Sequence, residues 1–209
     1  MANFICKLLK KRRYMKTLSE NTFLFSDPHF GNEYTFLTTR RCRDFPLVKA
    51  CDKAIINNWN KTVGINDTVI LLGDVGDIKS NSDYIKECLL SLNGTIILTL
   101  GDYDRDSFNN LQEAIDYFAD CGIATVFPDS LFTNSYYCLS HKPMRCGVNN
   151  LSPIINIFGH VLDNCIYKTV SERSYCVCPE RIKYTPKSFA EIKQAIKAEQ
   201  NNCEILRKL

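Results

Sequence analysis

Six residues of this chain are of the types that hold divalent cations, and each stands in a short polar cluster just after an apolar run. Asp27 and His29 belong to FLFSDPHFG, Asp74 to DTVILLGDVGD, Asp102 to TIILTLGDYD, and His141 and His160 follow SYYCLS and IINIFG. These positions use all three histidines of the chain. Carboxylate oxygens and imidazole nitrogens that converge from distant strand ends make the mixed shell that hard and borderline divalent metals accept. One Asp-x-His alone is weak, because polar pairs after a strand are commonly loop residues bonded to backbone or water. Five such strand ends in one chain are hard to explain that way.

The elements that must position these groups follow from periodicity. Thr22 to Ser26 reads as a short strand, broken by Pro28 and Gly31. The stretch from Pro46, PLVKACDKAIINNWNKT, has helical spacing with Pro at a tolerated first-turn position, and Trp59 reads as a core or rim residue. Asp67 to Leu72 is a nearly continuous apolar run, as in a strand buried on both faces. A helix over Ser82 to Leu92, a strand over Thr95 to Leu100, a helix from about Phe108 to Ala119 and the strand-like IATVF follow. After Pro128 the pattern changes to strands joined by short turns in LFTNSYYCLS, SPIINIFGH, NCIYKTV and SYCVC, and Ser188 to Leu209 returns to helical periodicity. Alternating strands and helices followed by a strand-rich half predict an α/β sandwich of two sheets flanked by helices.

Composition narrows the class. A length of 209 residues suits one domain, taken as 21–209, preceded by a basic N-terminal extension over 1–20 without fixed structure. Met15 stands just ahead of the first strand and offers an alternative start. The net charge of +3, from 26 basic and 23 acidic residues, is too balanced to argue for nucleic acid or membrane partners. The 11 cysteines are odd in number and scattered, which reads as free thiols in a reducing cytoplasm. Cys176 and Cys178 form a CxC read as alternating onto opposite faces of a strand, in preference to a chelate. The N-terminus lacks the order of a secretory signal, and no run reaches transmembrane length.

In order and type, the clusters DPH, GDVGD, GDYD, SH and GHVL resemble the five signature blocks of the calcineurin-like metallophosphoesterase family, DxH, GD, GNH(D/E), H and GHxH. The likeness runs from about Thr22 to about Ile196, and NNWNKTVGINDTVILLGDVGD resembles small bacterial and phage members. The resemblance implies a four-layer αββα sandwich of two mixed sheets flanked by helices, with two divalent metal ions, manganese, iron or zinc, at the strand ends. Asp27 and His29 would then hold the first metal, Asp74 would bridge both, and Asp102, His141 and His160 would hold the second. Two metals about 3.5–4 Å apart can activate a hydroxide for in-line attack on a phosphate mono- or diester.

Three positions depart from the pattern. Asp102 stands where the family has Asn; it still ligates through oxygen and adds charge that favours cations. Tyr103 replaces a His credited with assisting the leaving group, and a phenol donates a hydrogen bond but shuttles protons poorly near neutrality. Leu162 replaces the second His of GHxH, which weakens the first site; Asp163, one residue along, is the candidate to reach in. Arg105, Lys142 and Arg145 are candidates for binding an anionic substrate, while Asp77, Asp104 and Arg105 otherwise read as solvated rim residues or turn caps. The expected activity is hydrolysis of a small phosphoester, with catalytic roles for Asp74 and Tyr103. The rival expectation is a weakened member of the same fold serving as a metal-binding or protein-interaction scaffold. A nuclease is disfavoured by the charge balance and by the lack of an interleaved basic and aromatic stripe.

Overall fold

The computed structural model describes residues 14–15, 18–133, 136–144 and 154–208. A five-stranded sheet has its origin in three buried apolar runs that lie side by side in parallel: β2 (Thr22–Phe25), β3 (Thr68–Leu71) and β4 (Thr95–Thr99), with Leu24 opposite Ile70 and Ile70 opposite Ile97. Parallel neighbours need crossovers, and helices supply them. Between β2 and β3 run α1 (Glu33–Thr38), α2 (Arg41–Asp44) and α3 (Val48–Thr62). Between β3 and β4 runs α4 (Ile78–Leu90), and α5 (Asp102–Asp106) and α6 (Leu111–Asp120) lead on to the parallel β5 (Thr125–Phe127).

The strand-rich half builds the second, six-stranded sheet. β6 (Leu131–Thr133) and β7 (Tyr137–Ser140) pair antiparallel, while β8 (Ile155–Phe158) lies parallel to β7 and to β10 (Ser174–Cys176). The two-residue strands β1 (Tyr14–Met15) and β9 (Val170–Ser171) form its edges. β11 (Lys187–Ser188) returns to the first sheet beside β2, and α7 (Phe189–Lys208) ends the described chain with Ile192 and Ile196 buried. One hydrophobic core joins the sheets through Leu24, Phe25 and Ile70 on one side and Leu131, Leu139 and Ile157 on the other. Trp59 is a core residue: its ring meets Phe25 edge-on at 5.5 Å and its indole N–H donates to Asn93 O at 2.9 Å. The architecture is thus the expected mixed α/β sandwich of two sheets flanked by helices.

Several boundaries differ from expectation, each for a local reason. α4 starts at Ile78 and not Ser82, because Asp77 caps it by accepting from the Ser80 N–H. Asn81, at φ −140° and ψ 40°, then interrupts the helix, so sustained helical periodicity begins only after it. α6 starts at Leu111, where Asn110 caps it by accepting from the Glu113 N–H at 3.0 Å, and α5 occupies what reads as loop. Of NCIYKTV only Val170 enters a strand; Arg181 instead gathers the carbonyls of Leu162, Asn164 and Tyr167 into a loop. Cys176 and Cys178 do not face opposite ways: residues two apart share a strand face, and both thiols are buried with Phe158 and Val161. Most of the expected N-terminal extension lies outside the described residues, while Leu18 is buried. Among the described residues, no helix is long and apolar enough to cross a membrane.

Candidate metal centre

The loops after β2 and β3 carry Asp27 and Asp74, Asp102 opens α5 just after β4, and the loops after β7 and β8 carry His141 and His160. Within each sheet these strands run parallel, and the side chains that follow them approach across the two sheets, as His141 does to Asp74 and His160 to Asp102, so the carboxyl ends meet at one site, the usual ligand side of parallel sheets. Two groups of potential ligands result, Asp27 with His29 and Asp74, and Asp74 with His141 and His160, each with donor atoms within 4.8 Å of one another. Asp74 belongs to both. Its Oδ2 lies 3.7 Å from His29 Nε2 and 3.3 Å from His141 Nε2. His160 Nδ1 is 3.1 Å from His141 Nε2 and 3.5 Å from Asp102 Oδ2, which brings Asp102 to the edge of the second group.

The backbone here is held in conformations that L-residues rarely adopt. Asp27, His29, Asp74, His160 and Leu162 all have positive φ, between 47° and 69°. Such residues cost on the order of 1–3 kcal/mol each and persist only where the surroundings hold them. The holding groups are visible. Asp27 N–H donates to Gly73 O at 2.9 Å and His29 N–H to Asp74 O at 3.1 Å, which ties the first two loops together. Asp104 is not a solvated rim residue: it is fully buried and its carboxylate accepts the N–H groups of Asp74, Val75 and Gly101 at 2.8, 2.9 and 2.8 Å. Arg41, also buried, donates to the carbonyls of Asp27 and Pro28 at 2.7 and 2.6 Å and pairs with buried Glu180 at 2.6 Å. Gly159 lets β8 run against Asp27 and Ser26, where any Cβ would collide with both, and the His160 N–H then donates to Asp27 Oδ2 at 2.7 Å.

Electrostatics follow from this burial. Burial pushes the Asp27 carboxyl up, against the pull of His141. Burial also raises Asp74, but the hydrogen bond and charge of His141, together with His29, outweigh it and bring its carboxyl below the ordinary range. His29 falls to about 3, through burial and the nearby Arg41, and is a neutral donor. His141, although burial opposes it, is raised to about 9 by Asp74 and Asp27, while its Nδ1 lies 2.8 Å from Leu72 O, which orients the ring. Burial and Asp74 lift Asp104 to about 6. Asp27 Oδ1 is buried with no hydrogen-bond partner, an orphan that a cation would satisfy. The donor set therefore fits divalent metal ions: the first position has Asp27, His29 and Asp74, and the second has Asp74, His141, His160 and the adjacent Asp102.

The remaining candidates are distributed less favourably. Tyr103 gives its backbone N–H to Asp74 Oδ1 at 2.9 Å, and its partly exposed ring meets His29 edge-on at 5.1 Å. Asp163 does not reach the first position; its carboxylate accepts the Arg40 N–H at 2.8 Å and lies 3.8 Å from Arg43. Arg105 is held by the carbonyls of Leu100 and Pro128 and by Asp129. Lys142 pairs with Asp102 at 2.8 Å, and Arg145 lies outside the described residues. Arg41, Glu180 and Asp52 were not anticipated from the sequence.

Asp52 braces the loop after His29. Its Oδ2 accepts the Gly31 N–H at 3.0 Å and the Tyr84 hydroxyl at 2.9 Å, while Oδ1 is buried without a partner. Burial raises its carboxyl from 3.8 to about 6, so its contribution is fully present below its unfolded value and is lost as pH rises through 6. Asp52→Asn is expected to stabilise the metal-free protein by ~2 kcal/mol at about pH 7.5, a gain that fades by about pH 4. Thermal unfolding at the two pH values checks this, and an equal effect at both would refute the buried-charge account.

An α/β sandwich with a carboxylate and imidazole cluster at the carboxyl ends of its strands defines a candidate metalloprotein. No family model matches the chain. It is 31% identical over 115 residues to the uncharacterized protein MJ1445 of Methanocaldococcus jannaschii, a match that covers 54% of this chain and 62% of that protein. The chain thus spans less than two thirds of the length of that relative. In structure it is similar to a protein of unknown function, AQ665 from Aquifex aeolicus, with a TM-score of 0.58 and 20% identity over 83% of this chain and 97% of that one. That likeness shows the fold alone.

Proposed function

We propose that this protein is a metal-dependent hydrolase of phosphate mono- or diesters, of the calcineurin-like metallophosphoesterase kind. The observation that carries the reading is that Asp74 is shared by two ligand groups, each completed by histidine. A bridging carboxylate between imidazole-bearing positions is what a dinuclear hydrolytic centre requires. Manganese, iron or zinc ions bound there would supply Lewis acidity to the phosphate oxygens and acidify the attacking water. The chain's own part is orientation: Arg41 and Asp104 fix the ligand loops, His141 is aimed through Leu72 O, and Tyr103 offers a hydroxyl as hydrogen-bond donor at the mouth. The odd, scattered cysteines support a reducing cytoplasmic location. The test is manganese-dependent hydrolysis of a chromogenic phosphomonoester and its diester analogue by purified protein. Turnover that depends on the metal and disappears with chelator is expected; metal binding without turnover of either ester would refute the reading.

A second reading, a metal-binding scaffold of the same fold, is favoured by one observation. Leu162 offers no ligand to the first position, and Asp163 is drawn away to Arg40 and Arg43. Leu162→His separates the two. In a weakened enzyme, the added imidazole should tighten the first metal step by about tenfold or more and raise the rate with it, in the range that supporting groups at metal sites command. Calorimetric titration with Mn²⁺ beside the rate assay measures both, and no change in either would favour the scaffold.

A further inference from the structure

Beside the second ligand group lies a cleft of about 200 Å³, lined by Asp102, His141, Lys142, Ser140, Ser130 and Arg105 among others. Among the described residues, its two cations differ in what holds them. Arg105 is bound to the fixed carbonyls of Leu100 and Pro128 and to Asp129, so its charge is already committed. Lys142 has Asp102 as its partner, with Nζ 2.8 Å from Oδ2, and that same oxygen lies 3.5 Å from His160 Nδ1. The pair is partly exposed, 57% at the lysine and 40% at the aspartate, so the ammonium can swing on its flexible stem without unpacking the core.

One carboxylate oxygen cannot serve an ammonium and a divalent cation equally. Once Asp102 is engaged as a ligand, Lys142 loses its counter-charge and is repelled toward the cleft, where a phosphate would stand against the second position. We propose that Lys142 guards Asp102 until that carboxylate is taken as a ligand, and then binds the free oxygens of the substrate phosphate. The attraction grows with phosphate charge, and a monoester carries up to two negative charges where a diester carries one. Lys142 therefore biases the site toward phosphate monoesters. The substrate half of this proposal rests on the phosphoesterase reading; the guarding half rests on the Asp102 geometry alone.

The full chain and its Lys142→Met and Lys142→Arg variants test both halves. Calorimetric titration with Mn²⁺ alone should show the binding step of the second position, the one a His160 substitution weakens, tightened about two- to fivefold in Lys142→Met, as expected for removal of an exposed competing pair. With 4-nitrophenyl phosphate and bis(4-nitrophenyl) phosphate, the monoester to diester ratio of kcat/KM should fall about tenfold in Lys142→Met, the scale of one charge-assisted hydrogen bond, and recover in Lys142→Arg. An unchanged Mn²⁺ isotherm would overturn the guarding role, and an unchanged ratio would overturn the substrate role. If the natural protein turns over neither ester while the isotherm still shifts, the phosphoesterase reading falls together with the substrate half, and the guarding role is upheld.

Discussion

Replacing Arg41 by methionine is expected to destabilise the protein by about 3–5 kcal/mol, the usual loss when one partner of a buried ion pair is removed. Three groups lose their donor at once. The Glu180 carboxylate, whose side chain is fully buried and whose Oε2 already lacks a partner, is left as an uncompensated charge. The carbonyls of Asp27 and Pro28 lose the guanidinium that fixes them, and with it part of what holds Asp27 and His29 at positive φ. Lysine cannot substitute, because a single ammonium does not reproduce the fork that meets Glu180, Asp27 and Pro28 together. For a chain of this size the thermal midpoint should fall on the order of 10 °C. Much of the loss should return in the double variant Arg41→Met with Glu180→Met, where no charge remains buried. Metal affinity should stay low even there, because the Asp27 loop is still unbraced. A loss below about 1 kcal/mol in the single variant would show that the pair is dispensable.

This division between charge and geometry also explains what could be read from the sequence. The strands under the candidate ligands were legible because Val69, Ile70 and Leu71 form an uninterrupted buried run, and the candidate ligands were legible because each follows such a run. The braces were not. Arg41 stands in TTRRCRD, a polar segment with no apolar periodicity to mark a buried position, and its burial depends on Glu180, 139 residues away. Asp104 is the last residue of GDYD and looks like a turn cap; its three backbone partners include the N–H groups of Asp74 and Val75 from another strand end. Asp163 failed for the complementary reason. It lies near a ligand in sequence, but the helix starting at Arg41 offers it an N-terminal N–H, and the carboxylate goes there. Local pattern therefore located the groups that would touch a cation, while long-range hydrogen bonding decided which neighbours support them.

Asp74→Asn is the change with the largest expected effect on function and a small one on folding. The amide can still accept the Tyr103 N–H through its oxygen, and the Asp74 backbone remains held by Asp104, so the unfolding midpoint should shift by only a few degrees, about 1 kcal/mol for a chain of this size. What disappears is the negative charge that both ligand groups share. With the amide oxygen on the Tyr103 N–H, the position facing His29 and His141 becomes an NH₂ donor, which cannot bridge two cations. Both Mn²⁺ binding steps should weaken together. A mutation at His29 should weaken chiefly the first step, and one at His160 chiefly the second. On the proposed phosphoesterase reading, hydrolysis should fall by roughly 10³-fold or more, since a metal pair would contribute several kcal/mol of transition-state stabilisation and each 1.36 kcal/mol is a factor of ten. Calorimetric titration with Mn²⁺, read beside thermal unfolding of the metal-free variant, separates the cases. Loss of one binding step with the other intact would mean that Asp74 serves a single site and that the centre is not bridged.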